Sequence, residues 1–335
     1  MTNTLFIHQQ PHPVHKEFAE SIGADFFFYR DYRDIPSDAR ALFEAINKGL
    51  KLPKYDVYLC EGGTTVLPVF FRKLIHRKVK IILLIADETF FRITLGMPFP
   101  SSFWGKLQWK VISKYIDGAI AVSEFAKEEA KKVLSCPIKV AYPFIQNKIY
   151  NELKSISPDL ESYNILSIGY GHPKNGFKTL IDAFKIVKKR FPAANLYIVG
   201  EGNPTEWNRT GGVHVTGFVP NILPYFEHSS LFCLIGKGQA FPVATLEALC
   251  AGLPAIVSKY TGTKEVVRRL RDDFVTDADS KAVADAIIRY FSLDFEEKVE
   301  LSKSAKRLAE QFNSDKRIKA FKKVFRELLH EVKAI

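Results

Sequence analysis

The sequence predicts an α/β protein made of two Rossmann-like domains, each a doubly wound parallel sheet, facing each other across a cleft. Three observations carry this expectation. Short apolar runs alternate with amphipathic segments along the whole chain, the order of parallel strands joined by helical crossovers. The alternation occurs twice, interrupted between Tyr142 and Leu160 by the breakers Pro143, Asn147 and Pro158. A chain of 335 residues is also long enough to bury two ordinary cores. The expected division is 1–145, 146–314 and a terminal helix over 315–335, with the stretch from 142 to 160 as the connection.

In the first half, Thr4 to His8 is a short apolar strand, Gln9 to Pro13 a loop and Val14 to Ile22 a helix. Asp25 to Tyr29 and Ala39 to Leu50 repeat the pair. Asp56 to Cys60 is the third strand, broken by Glu61-Gly62-Gly63 before a helix from about Val66. Lys80 to Ala86, continuous in Ile and Leu, reads as a strand covered on both faces. Gly118 to Val122 is the fifth. Ser123 then caps a helix over Glu124 to Leu134, which carries Lys127, Lys131 and Lys132 on its polar side.

The second series begins with a strand at Asn164 to Gly169 and a helix at Phe177 to Arg190. Strands at Asn195 to Gly200 and Val213 to Thr216 and a small helix from Leu223 follow. The stretch from Leu231 to Val267 is the most informative. Leu231 to Ile235 reads as a buried strand, Gly236 to Phe241 as a loop, and Val243 to Ala251 as a helix entered through Pro242. Gly252 and Pro254 stop that helix before the next strand, Ala255 to Val257. Helices over Ser280 to Phe291, Phe295 to Phe312 and Asp315 to Val332 close the chain.

Composition excludes several classes. An apolar fraction of 47% with 25% charged residues is that of a folded soluble protein. No secretory leader is expected, because polar residues begin at His8, and no apolar run approaches the ~20 residues that span a bilayer. Cys60, Cys136, Cys233 and Cys250 are scattered without metal-ligand spacing and read as free thiols of a reducing, cytoplasmic compartment. The net charge of +11 reads mostly as a solvated surface. One region differs. Phe70 to Lys80 holds Arg72, Lys73, Arg77 and Lys78. With Phe90, Phe91, Arg92, Phe103, Trp104, Lys106, Trp109, Lys110 and Lys114 it mixes aromatic and basic side chains. That mixture suits an anionic membrane surface, a peripheral seat on the cytoplasmic face, better than single-stranded nucleic acid.

The loop between Ile235 and the helix at Val243 lies at the carboxyl end of a strand, where open parallel sheets bind ligands. A helix N-terminus there offers unpaired N–H groups to an anion, and a nucleotide is the expected ligand. Lys174, in the loop Gly169 to Gly176, is either a solvated lysine or a point charge for a diphosphate. Glu247 lies among Ala244, Leu246, Ala248 and Leu249, where a carboxylate needs a partner. A ribose diol would satisfy it, as would a backbone N–H or a lysine; we read the ligand. Gly169-Tyr170-Gly171 and Gly200-Glu201-Gly202 do not complete a dinucleotide fingerprint, and no P-loop pattern occurs. No metal site is expected: His8, His12 and His15 cluster without a carboxylate beside them in the sequence. A nucleophile-elbow hydrolase is unsupported as well.

The segments ILSIGYGHPKNGFKTLIDAF, LYIVGEGN, VHVTGFVPN and QAFPVATLEALCAGLPAIVSKYTGTKEVV, in that order, resemble the donor domain of the GT-B glycosyltransferases of family four, retaining enzymes that use nucleotide sugars. The first half is similar through YDVYLCEGG and YIDGAIAVSEFAKE. The resemblance implies that Glu247 holds the donor ribose, and that Ala240, Phe241, Pro242, Val243 and Ala244 face sugar and diphosphate. It puts Gly217, Phe218 and Val219 against the base, and Gly169, Tyr170 and Lys174 by the diphosphate. It also makes 1–145 the acceptor-side domain, 146–314 the donor domain and 315–335 a helix that crosses back onto the first. Gly62, Gly63 and His12 are the acceptor-side candidates.

Three departures from the family's pattern stand out, the second involving two residues. The glutamate usual eight residues before Glu247 is Gln239, the arginine usual after the first glycine is Tyr170, and Lys174 sits one place off the strict alignment. The usual histidine after the fourth strand is missing; in Leu84-Ile85-Ala86-Asp87-Glu88 the nearest polar candidate is Asp87. The resemblance thus implies metal-independent, retaining transfer from a UDP-, GDP- or ADP-linked sugar to a sugar or other acceptor, and the basic aromatic patch suggests a lipid-linked or membrane-associated one. The transfer needs no cofactor and has Lys174, Gln239 and Asp87 as catalytic candidates. The alternatives are a nucleotide- or glycan-binding relative without transfer activity and a sugar-nucleotide epimerase.

Overall fold

The computed structural model describes residues 3–30, 38–97 and 109–334. Phe103, Trp104 and Lys106, assigned above to a basic aromatic surface, lie outside them. The chain forms two compact units, Met1–Pro143 with Asp315–Ile335, and Phe144–Ser314.

The first unit contains β1 (Thr4–His8), β2 (Asp25–Phe28), β3 (Val57–Glu61), β4 (Lys80–Ile85), β5 (Gly118–Ala121) and β6 (Ile138–Val140). They form one sheet in the order β2-β1-β3-β4-β5-β6, parallel throughout. The Ile and Leu of β4 are buried from Ile81 to Ile85, as a strand covered on both faces must be. The helix Ser314–Ala334 belongs to this unit from Asp315 onward. Phe321 stacks on Phe18 at 4.3 Å between ring centroids, and Gly118 lets Leu328 and Val332 come against β5.

The second unit contains β7 (Asn164–Ile168), β8 (Asn195–Val199), β9 (Val213–Gly217), β10 (Leu231–Leu234), β11 (Ala255–Ser258) and β12 (Val275–Thr276). Their order is β12-β11-β10-β7-β8-β9, again parallel. From β7 the chain first winds outward through β8 and β9, then returns to β10 on the other side of β7. The point of reversal lies between β7 and β10, where a doubly wound sheet opens a crevice at its carboxyl edge. In the first unit the same reversal falls between β1 and β3.

Three expectations are corrected. The stretch from 142 to 160 is not a free connection: Asn147–Leu153 is a helix of the second unit. Asn147 sits at its first position, where a helix breaker is tolerated, and Cys250 Sγ approaches the Tyr150 carbonyl at 3.8 Å. Phe90 and Phe91 are not surface aromatics. They are 1% and 0% exposed, packed against Trp109 and Phe125. Nor is Arg72 a surface cation, since it is buried beneath the Leu50 carbonyl, while Lys73 pairs with Asp117. β6 and β12, of three and two residues, are too short for a period to register in sequence.

Candidate functional site

The reversal point of the second unit brings together the loop after β7 and the loop after β10. Lys237 N donates to the Lys174 carbonyl at 2.8 Å. Gln239 Nε2 donates to Asn175 Oδ1 at 2.7 Å, and Asn175 Nδ2 donates to the Tyr170 carbonyl at 2.6 Å. Asn175 is buried, so one amide ties Tyr170 on one loop to Gln239 on the other. Gly176 makes this approach possible. It takes φ +70°, and a Cβ there would meet the Ile235 carbonyl oxygen at 2.0 Å. Behind the loop, Ser258 Oγ holds the Gly236 carbonyl, while Gly238 N and Gln239 N donate to the Tyr260 carbonyl.

The helix Val243–Ala251 starts directly at this junction. Its N-cap is Pro242, no side chain caps it, and its first turn carries no acidic residue. The first N–H groups of the helix are thus without a capping side chain, the usual condition of an anion seat. Lys174 stands on the neighbouring loop with its ammonium 5.1 Å from the centre of the Tyr170 ring. Gln239 Oε1 is closed to solvent and has no hydrogen-bond partner among the described residues. An amide oxygen left so costs about 1–3 kcal/mol.

Glu247 lies on the same helix. It has no hydrogen-bond or ion-pair partner among the described residues, and burial pushes its carboxyl up to about 7. A carboxyl so desolvated and so unpaired fits a pair of donors brought by a ligand. Ala240 and Phe241 are buried, Phe241 against Phe312. Gly217, at φ +71°, ends β9; its carbonyl accepts from Gly200 N at 2.9 Å, and Phe218 beyond it is 70% exposed.

Asn203 was not singled out from sequence. It is buried after β8, its Nδ2 donating to the Gly169 and Gly200 carbonyls at 2.9 Å each. Gly171 is equally constrained, since a Cβ there would meet the Gly202 carbonyl oxygen at 1.9 Å. The glycine pairs after β7 and β8 therefore serve each other: they let two loop backbones touch. Asn175 was overlooked for a related reason. Its neighbour Lys174 carries the charge, whereas Asn175 acts through a contact 64 residues away.

The first unit holds the remaining candidates. Gly62 and Gly63 follow β3, and Gly63 N donates to Asp87 Oδ2 at 2.7 Å. Asp87 also accepts from Thr89 N and Thr89 Oγ1 at 3.2 and 2.9 Å, and burial raises its carboxyl despite these bonds. Both of its oxygens are thus engaged in holding the turn after β3 and the start of the helix Thr89–Thr94. The histidine cluster does have a carboxylate beside it, contrary to the sequence expectation. Glu61 Oε1 lies 2.6 Å from His15 Nδ1 and accepts from His12 N at 3.3 Å. Parallel pairing of β1 with β3 puts these residues side by side across 46 positions of chain, a distance that local sequence does not report. No group of three or more His, Cys, Asp or Glu among the described residues is arranged to hold a metal ion.

Two doubly wound parallel sheets in one chain, the second with a nucleotide-type crevice, define the GT-B class of fold. The likeness to solved structures is of that fold and spans nearly the whole chain. HepE from Anabaena, in complex with UDP and glucose, has a TM-score of 0.73 at 14% identity, covering 97% of this chain and 100% of that one. Sucrose-phosphate synthase from Thermosynechococcus elongatus has a TM-score of 0.75 at 13% identity, covering 99% and 100%. Residues 162–292 match the family model described as Glycosyl transferases group 1. An uncharacterized glycosyltransferase of Haemophilus influenzae is 28% identical over 130 residues, 36% of this chain and 37% of the relative. The phosphatidyl-myo-inositol mannosyltransferase of Mycobacterium leprae is 28% identical over 189 residues, 52% and 49%. The chain thus aligns with between about a third and a half of the length of these curated relatives.

Proposed function

We propose that the protein is a retaining glycosyltransferase that moves a sugar from a nucleotide-linked donor to an acceptor hydroxyl without a metal ion. The carrying observation is the pair formed by the uncapped helix N-terminus at Val243 and the unpartnered carboxyl of Glu247 four residues on. One suits a diphosphate and the other a ribose diol. A UDP-linked sugar is the first donor to try, because UDP and UDP-glucose are bound in the related Anabaena structures. In this reading the departing nucleoside diphosphate gathers negative charge as its bond to the sugar breaks. Helix amides and Lys174 stabilise that charge where it develops. Gln239, held by Asn175, lies toward the donor sugar. Gly217, Phe218 and Val219 lie along the base, and the acceptor is bound by the first unit near His12, Gly62 and Gly63.

An anionic lipid surface is a further part of the reading. Once the buried aromatics are removed from the patch, an apolar and basic surface remains. Leu74, Ile75, Arg77 and Lys78 are exposed on one segment, Lys110, Val111, Lys114 and Tyr115 on another. The two adjoin through Phe70 and Tyr115, whose rings meet edge to face at 5.0 Å. Apolar residues rimmed by cations suit a peripheral seat on lipid, in a cytoplasmic enzyme. No helix among the described residues is long and apolar enough to cross a membrane.

The test is thermal unfolding with UDP, GDP and ADP in turn, followed by the matching nucleotide sugars. A ligand that binds the native state alone raises the melting temperature. One nucleotide is expected to do so, and Glu247→Ala to remove the effect. No response to any nucleotide would sink the proposal. Tight binding with no turnover of any nucleotide sugar would favour a binding protein, which the neutral Gln239–Asn175 pair also permits.

A further inference from the structure

The reversal point of the first unit carries a cluster that the donor site does not use. β1 ends at His8, and the loop after it leads through Gln10, at the φ of +118° that non-glycine residues rarely adopt, to His12 and the helix Pro13–Ser21. β3 ends at Glu61 beside it. Ligands bind at such a carboxyl edge for the same topological reason as in the second unit.

The hydrogen bonds fix what each ring offers. A carboxylate oxygen accepts, so His15 donates from Nδ1 across the 2.6 Å contact, and in the neutral ring Nε2 is then the acceptor. His12 Nδ1 accepts from Val14 N at 3.4 Å, so its Nε2 carries the hydrogen. His12 is held down to about 4, by desolvation first and by His15 second, with Glu61 opposing, and is therefore neutral at pH 7. The two rings lie 5.5 Å apart, and neither Nε2 has a partner among the described residues. His8 adds a third ring, its Nδ1 closed to solvent and unpartnered among the described residues.

We infer that His15 and His12 form a hydroxyl-binding edge for a polyol acceptor, His15 Nε2 accepting and His12 Nε2–H donating, with Glu61 fixing the orientation and tautomer of His15. Among the described residues no group of three or more His, Cys, Asp or Glu is arranged to hold a metal ion. One acceptor and one donor side by side match two neighbouring hydroxyls of a sugar or cyclitol, each of which can both give and take a hydrogen bond. The inference rests on the reading of the first unit as the acceptor side. Glu61 acts through His15 and is a positioning residue.

The experiment uses the full chain labelled with nitrogen-15 and follows the imidazole nitrogens by NMR while glycerol, myo-inositol and glucose are added in turn. In the free protein His15 is expected as the Nδ1–H tautomer and His12 as the Nε2–H tautomer. At least one polyol should move both Nε2 resonances saturably. His15→Ala should weaken that binding by about tenfold or more, the order expected for one lost hydrogen bond. His15→Gln, whose amide oxygen can stand near the Nε2 position, should recover most of it. Glu61→Gln should shift His15 toward a mixture of tautomers, which a merely structural carboxyl would not do. The inference is overturned if none of the three polyols moves these resonances, if His15→Ala binds as tightly as the unaltered chain, or if Glu61→Gln leaves the tautomer unchanged. Nucleotide-induced stabilisation, measured on the same samples, separates the two readings. If it persists without a polyol response, only the hydroxyl edge fails; if it is absent, the glycosyltransferase reading itself fails.

Discussion

Replacing Glu247 by glutamine tests the donor site through a quantity the structure supplies. Burial raises the carboxyl of Glu247 from an ordinary 4.5 to about 7. Between those values the folded chain holds a proton that the unfolded chain has released, so stability falls as pH rises through the window. The loss is absent below about 4.5 and complete above about 7. A shift of this size corresponds to about 3 kcal/mol, since one pKa unit is about 1.4 kcal/mol. Glutamine has the same shape and no proton to lose. The ligand-free Glu247→Gln protein should therefore match the parent near pH 4.5 and exceed it at pH 8. For a domain of this size that is a gain of roughly 6–12 °C in melting temperature.

The ligand reverses the sign. In the proposed reading ribose hydroxyls donate to the ionised carboxylate, so nucleotide binding is expected to expel the proton below pH 7. Affinity should weaken about tenfold per pH unit below 7 and level off above it. At pH 8 glutamine should bind the nucleotide tenfold to a hundredfold more weakly, from roughly 1.5–3 kcal/mol of hydrogen bonding to a charged group. Thermal scans at several pH values measure the first effect. Calorimetric titrations in buffers of different ionisation enthalpy measure the second and count the proton released. A glutamine variant that is no more stable at pH 8, yet binds nucleotide as tightly as the parent, would refute the assignment of Glu247.

Three further outcomes are expected. Gly176→Ala should destabilise the second unit by about 3 kcal/mol or more, because it combines a left-handed backbone with a contact of 2.0 Å to a carbonyl oxygen; chemical denaturation reads this directly. Asn175→Ala should cost about 1–3 kcal/mol by leaving the Tyr170 carbonyl and Gln239 Nε2 unpaired, and should weaken nucleotide binding as the two loops separate; the same denaturation and titration assays check it. Reversing Arg77, Lys78, Lys110 and Lys114 to glutamate should abolish co-sedimentation with vesicles rich in anionic lipid and leave nucleotide binding intact, whereas sedimentation that persists would count against the membrane seat.

The sequence by itself determined the fold class and marked the loop and helix of the candidate site, because both are written in local patterns. Apolar runs bounded by glycine and proline mark parallel strands, and Pro242 after Gln239-Ala240-Phe241 marks the helix entrance of the candidate site. Glu247 stands out as a carboxylate in an apolar helix without any knowledge of its neighbours. Tertiary structure decided what depends on chain segments far apart. It made Asn175 the clasp of Gln239, joined His15 to Glu61, and turned Phe90, Phe91 and Arg72 from surface patch into core. It also made Asn147–Leu153 a helix of the second unit, with Asn147 at the first position where it is tolerated. The physical reason is common to all four. A residue's propensity and period act within a few positions, whereas burial and hydrogen-bond partners are set by which strands become neighbours in the sheet.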